Sequence, residues 1–124
     1  MANEITVTGS LSGYKAGSMG SSIARSFTNL LFNMAGTTYV EGTMSVATSD
    51  TLIPLGGVTA PHWAFFRNLD AVNFVKLKTA SGGAYFAKLL AGEVGIFPLL
   101  DTNTAIMGIA DTAAVRMEYL IFNL

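Results

Sequence analysis

The chain has no cysteine and a single histidine, His62. Without cysteine there is no disulfide framework and no thiolate metal site, and the redox compartment is left open. With one histidine there is no imidazole pair for zinc and no two-histidine proton relay. Charge is also scarce: Asp, Glu, Lys and Arg make up 12% of the 124 residues, against roughly 25% in an ordinary soluble protein. The formal net charge is −1, and no Lys/Arg run interleaved with aromatics occurs, so the sequence argues against a nucleic-acid partner. Lys88 and Glu93 interrupt the most apolar segment, and no basic stretch followed by an apolar run opens the chain. The expectation is a soluble protein with neither signal peptide nor membrane span.

What is present is apolar: 51% of the residues. A small domain has a high ratio of surface to volume, so this content with few charges implies a neutral Ser/Thr/Asn/Gly surface together with apolar area covered by partners. The length suits one domain, residues 1–124, with a single core.

The stretch His62–Lys78 is the richest in strand-forming residues. Trp63, Phe65 and Phe66 lie before the polar segment Asn68–Asn73, and Phe74, Val75 and Leu77 after it. High strand propensity on both sides of turn-forming Asn68 and Asp70 predicts a hairpin on which the rest of the chain packs. Trp63 and Phe65 point one way and Phe66 the other, which predicts apolar contact on both faces of that strand.

Elsewhere, Glu4–Thr8 alternates with Ile5 and Val7 inward, and Gly13–Ser22 reads as a flexible loop or arm. Residues 22–35 fit helical spacing behind a serine cap and fit a strand equally, and periodicity leaves both open. In Thr37–Thr48, Val40, Met44 and Val46 share one face and Tyr39, Glu41, Thr43 and Ser45 the other, with Gly42 as an expected bulge. Thr51–Leu55 is a short strand that Pro54 confines to an edge or an end. Turns at Gly56-Gly57, Ser81–Gly83, Ala91–Glu93 and Asp101–Thr104 recur at the spacing of sandwiches and barrels. In the last strand, Val115, Met117, Tyr119 and Ile121 form one face. Arg116, Glu118, Leu120 and Phe122 form the other, whose apolar second half predicts cover by a neighbouring subunit.

No arrangement of residues carries a reaction. The acidic residues are scattered, with no local spacing for a glycosidase pair or a calcium loop. Gly-x-Ser-x-Gly is absent, and the Gly17–Ser22 loop lacks the Gly-Lys-Ser/Thr ending of a phosphate cradle. His62 reads as a structural histidine beside Trp63, and the strand aromatics as core rather than a sugar platform. No catalytic, cofactor-binding or metal-binding residue is therefore expected, and no cofactor or small-molecule substrate.

Phe65–Val75, Leu89–Glu93, Asp111–Val115 and Glu118–Leu120 together resemble a family of small β-rich structural proteins of tailed bacteriophages, over a span from Phe27 to Leu124. The likeness lies in turn and strand patterns and carries no site residues. Lys76 and Lys78 depart from it, being more charged than the pattern, and Leu30–Phe32 is more apolar. The resemblance implies a virion component: a capsid decoration or cement protein, or alternatively a tail or fibre component. It also tilts residues 22–35 toward strand and implies a homotrimer bound to the major capsid protein, outside the capsid. A glycan-binding host-attachment module is a further alternative. The expected fold is all-β: an antiparallel β-sandwich of jelly-roll or immunoglobulin-like type, with residues 1–22 as an extended arm or an edge strand.

Overall fold

The computed structural model describes residues 4–13, 23–34, 37–79, 82–99 and 105–123, and divides the chain into two compact units, 1–34 and 35–124. The first is a two-stranded antiparallel ribbon, β1 (Ile5–Gly13) with β2 (Ile23–Phe32). Residues 23–32, open between helix and strand in the sequence, are thus strand. Leu30 and Phe32 supply an alternation that lines up with Val7 and Ile5 across the ladder. The Gly13–Ser22 arm lies, from residue 14 on, outside the described residues, as does the Asp101–Thr104 turn.

The second unit holds the remaining strands: β3 (Tyr39–Val46), β4 (Thr51–Leu52), β5 (Pro61–Asn68), β6 (Val75–Lys78), β7 (Tyr85–Leu89), β8 (Val94–Pro98), β9 (Met107–Ala110) and β10 (Val115–Asn123). They form two four-stranded antiparallel sheets, ordered β3-β10-β5-β8 and β4-β9-β6-β7. The inner faces share one core, in which Val46, Phe66, Met117 and Ile121 of the first sheet meet Val75, Leu77 and Ala110 of the second. The protein is an all-β sandwich, as its alternation and turn spacing predict. The chain changes sheet at every connection except β6 to β7. That winding, with this strand order, is the jelly roll rather than the immunoglobulin arrangement.

Two expectations are corrected. The strands flanking Asn68–Asn73 do not form a hairpin: β5 pairs with β10 and β8, and β6 with β7 and β9. Stacked sheets lie about 10 Å apart, and the segment 69–74 is long enough to cross between them. Asn68, fully buried, anchors the crossing. Its Nδ2 donates to the carbonyls of Asn73 (2.8 Å) and Leu89 (3.1 Å), and its Oδ1 accepts the Asp70 N–H (2.8 Å). Asp70 then accepts the N–H groups of Asn73 and Val72, and these two bonds lower its carboxyl pKa from the ordinary value.

Nor is Gly42 a bulge, because the β3–β10 register runs unbroken through it. A Cβ there would lie 3.1 Å from the Tyr119 hydroxyl, so glycine makes room for the ring opposite. The alternation of β10 holds as read: Val115, Met117, Tyr119 and Ile121 are all buried. Lys78 is buried as well, its Nζ 2.8 Å from Asp50 Oδ2.

Candidate interaction surfaces

The ribbon is amphipathic in a way that becomes visible only once its register is known. Ile5 faces Phe32, Val7 faces Leu30, Gly9 faces Phe27, Leu11 faces Arg25 and Gly13 faces Ile23. Directly opposed residues share a face, so the large apolar side chains of both strands collect on one side. Thr6, Thr8, Ser10 and Ser12 of β1 take the other side, where Leu31 is the apolar exception.

A register shift between Val7 and Gly9 keeps the two halves in phase. Asn29 supplies the extra residue there at φ 53°, a left-handed conformation that asparagine tolerates, and its N–H donates to Thr8 Oγ1 at 3.0 Å. Phe27 lies over Gly9 so closely that a Cβ would come within 2.8 Å of the ring. Glu4 Oε2 accepts the Met34 N–H at 3.1 Å and ties the two ends together. Ile5 and Val7 are buried, whereas Leu11 (80%), Ile23 (54%) and Phe27 (40%) at the far end are exposed.

A second surface is the outer face of the β3-β10-β5-β8 sheet. Glu41, Leu120, Phe65 and Ile96 stand side by side across its four strands. The neighbouring row is Thr43, Glu118, Arg67 and Val94. Beyond Leu120, Phe122 packs on Tyr39 with ring centroids 6.2 Å apart. Leu120 and Phe122 are half-buried and Tyr39, Val94 and Ile96 exposed, so apolar area on this face remains in contact with solvent. A depression of about 470 Å³ lies over Glu41–Thr43, Phe65 and Glu118–Leu120. It brings together two carboxylates that the sequence left scattered, as diagonal neighbours on β3 and β10.

The third surface was missed in the sequence. Lys76 on β6 lies directly opposite Lys88 on β7, and both ammonium groups share the Phe74 ring, at 5.5 and 4.3 Å from its centroid. Lys76 and Lys78 also lie over Tyr85, at 5.3 and 5.2 Å. Three of the four lysines thus meet on one hairpin with two aromatic rings. The available signal was the Ser81–Gly83 turn. Folding the chain about it sets Lys76 against Lys88, though the offset had to come from pairing, since β7 is irregular beside Leu77 and Lys78.

His62 is half-buried, with Trp63 edge-on at 5.9 Å and its Nδ1 lacking a hydrogen-bond partner among the protein atoms. Among the described residues no three His, Asp or Glu side chains group as metal ligands, and no helix is long and apolar enough to cross a membrane. Compared with known protein families, curated proteins and solved structures, the chain matches none.

Proposed function

We propose that the protein is a structural component of a bacteriophage virion, a capsid decoration or cement protein that works by binding rather than catalysis. The observation that carries the reading is the amphipathic ribbon. A two-stranded ribbon is marginal on its own, and this one presents Leu11, Ile23 and Phe27 to solvent on its apolar face. Burying such side chains against another chain contributes about 1.5–3 kcal/mol each, which accounts for their being kept on a surface with few charges. The row Leu120, Phe65 and Ile96 offers a second apolar strip of the same kind. Jelly rolls recur among viral capsid domains, which is support by analogy of fold. The partners in this reading are copies of the same chain, assembled as a trimer, and the major capsid protein, each contact burying roughly 800 Å² per side.

The test uses purified shells of the major capsid protein encoded in the same genome. The wild-type protein is expected to co-sediment with shells and to run as an oligomer when free. The ribbon variant I23S/F27S is expected to lose shell binding while the 35–124 unit keeps its unfolding transition. A wild-type protein that stays monomeric and leaves shells bare would overturn the reading.

A further inference from the structure

The Lys76/Lys88 pair is an electrostatic anomaly. Like charges directly opposite on neighbouring strands destabilise a sheet. Both ammonium groups lie against one ring, within about 10 Å of each other, which is no more than a Debye length at 0.1 M salt. Of the nearby carboxylates three are engaged elsewhere, and Asp111, whose N–H donates to the Phe74 carbonyl just past β9, makes no ion pair with either lysine. Asp50 pairs with Lys78, Asp70 accepts the Val72 and Asn73 N–H groups, and Glu93 accepts the Leu90 N–H at 2.6 Å. Among the described residues no carboxylate stands within ion-pair distance of Lys76 or Lys88. Lys88 is exposed and Lys76 half-buried; the Phe74 ring lies against both ammonium groups, and the Tyr85 ring lies against Lys76 and Lys78.

We infer that this face of β6 and β7 is a docking site for an acidic protein segment, whose carboxylates pair with Lys76 and Lys88 while its apolar part lies on Phe74 and Tyr85. The inference rests on the reading of the protein as one that binds another protein's surface, and it names the chemistry of one contact. Charge complementarity selects the occupant. Two lysines without an ion-pair partner match a short run of Asp or Glu, whereas nucleic-acid affinity comes from many neutralised phosphates and this face gathers three lysines, one of them already paired with Asp50. Removing the positive charge should therefore harm the docking. K88E turns a repulsive cross-strand pair into an attractive one and gives up the Lys88 contact with the Phe74 ring, so its readout is binding rather than stability.

The test is an amide NMR titration of the full chain with poly-L-glutamate, and separately with an oligothymidylate, at low ionic strength. Expected are saturable shifts confined to residues 74–78 and 85–89 with poly-L-glutamate, roughly tenfold weaker binding for K76Q/K88Q, and retention in K76R/K88R. K88E is expected to show no shifts. The inference is overturned if poly-L-glutamate moves nothing there, if K76Q/K88Q binds as wild type does, or if the oligothymidylate shifts the same amides more strongly. Shell co-sedimentation separates the two levels. Wild-type binding with an unchanged K76Q/K88Q removes this contact and leaves the assembly reading standing. Absence of wild-type binding removes the assembly reading, and the titration then decides the site alone.

Discussion

Replacing Asn68 by alanine tests whether one side chain ties the two sheets together. Asn68 sits at the end of β5, and its amide reaches the Asn73 carbonyl on the crossing segment and the Leu89 carbonyl at the end of β7. Its Oδ1 starts the turn by accepting the Asp70 N–H. Alanine removes three hydrogen bonds, each worth about 1 kcal/mol net, and leaves buried partners to pay their desolvation. The expected loss is about 3 kcal/mol, read as a lower urea midpoint with an unchanged m-value.

Aspartate at this position is the sharper variant. It keeps the acceptor but sets a carboxylate against two carbonyls, so its folded-state pKa must rise. The penalty is then absent below the ordinary aspartate value of about 3.9 and grows as the pH climbs from there toward the raised value. N68D should therefore be less stable than N68A at neutral pH and recover in acid, where the protonated acid donates one of the lost bonds. A loss below about 1 kcal/mol for N68A, or a pH-independent N68D, would refute the view that these carbonyls depend on Asn68.

Asp70 predicts the opposite pH behaviour. Its carboxyl is held low by backbone donors, so its contribution is present above about pH 3.9 and is lost as pH falls through its depressed folded value. D70N should flatten that part of an acid-unfolding curve. G42A should cost about 1–2 kcal/mol by forcing the Tyr119 ring aside, and Y119F in the same chain should return most of it, measured by thermal melts of the single and double variants. Phe66→Ala, in the fully buried centre of the sandwich, should cost about 3–5 kcal/mol by denaturant unfolding. Titration with soluble polysaccharide should leave Trp63 fluorescence unchanged, and a saturable change would favour the host-attachment alternative.

The sequence by itself determined most of the strands of the 35–124 unit and which of their side chains face inward, while residues 23–32 became strand only through pairing with β1. In β3 and β10 the period of two is carried by Val40, Met44 and Val46, and by Val115, Met117, Tyr119 and Ile121, because a half-buried strand exposes alternate residues whatever it pairs with. The turns at Gly56-Gly57 and Ala91–Glu93 followed from Gly chemistry, which is equally local. Tertiary structure alone decided the pairing. A turn between two strands says that the chain reverses, not that the strands bond, and between β5 and β6 it carries the chain to the other sheet. Everything that depends on pairing was therefore hidden: the single apolar face of the ribbon, the space Gly42 leaves for Tyr119, and the meeting of Lys76 with Lys88. Hydrophobic alternation is a property of one strand, whereas a surface belongs to several strands in register, and register is settled by long-range packing.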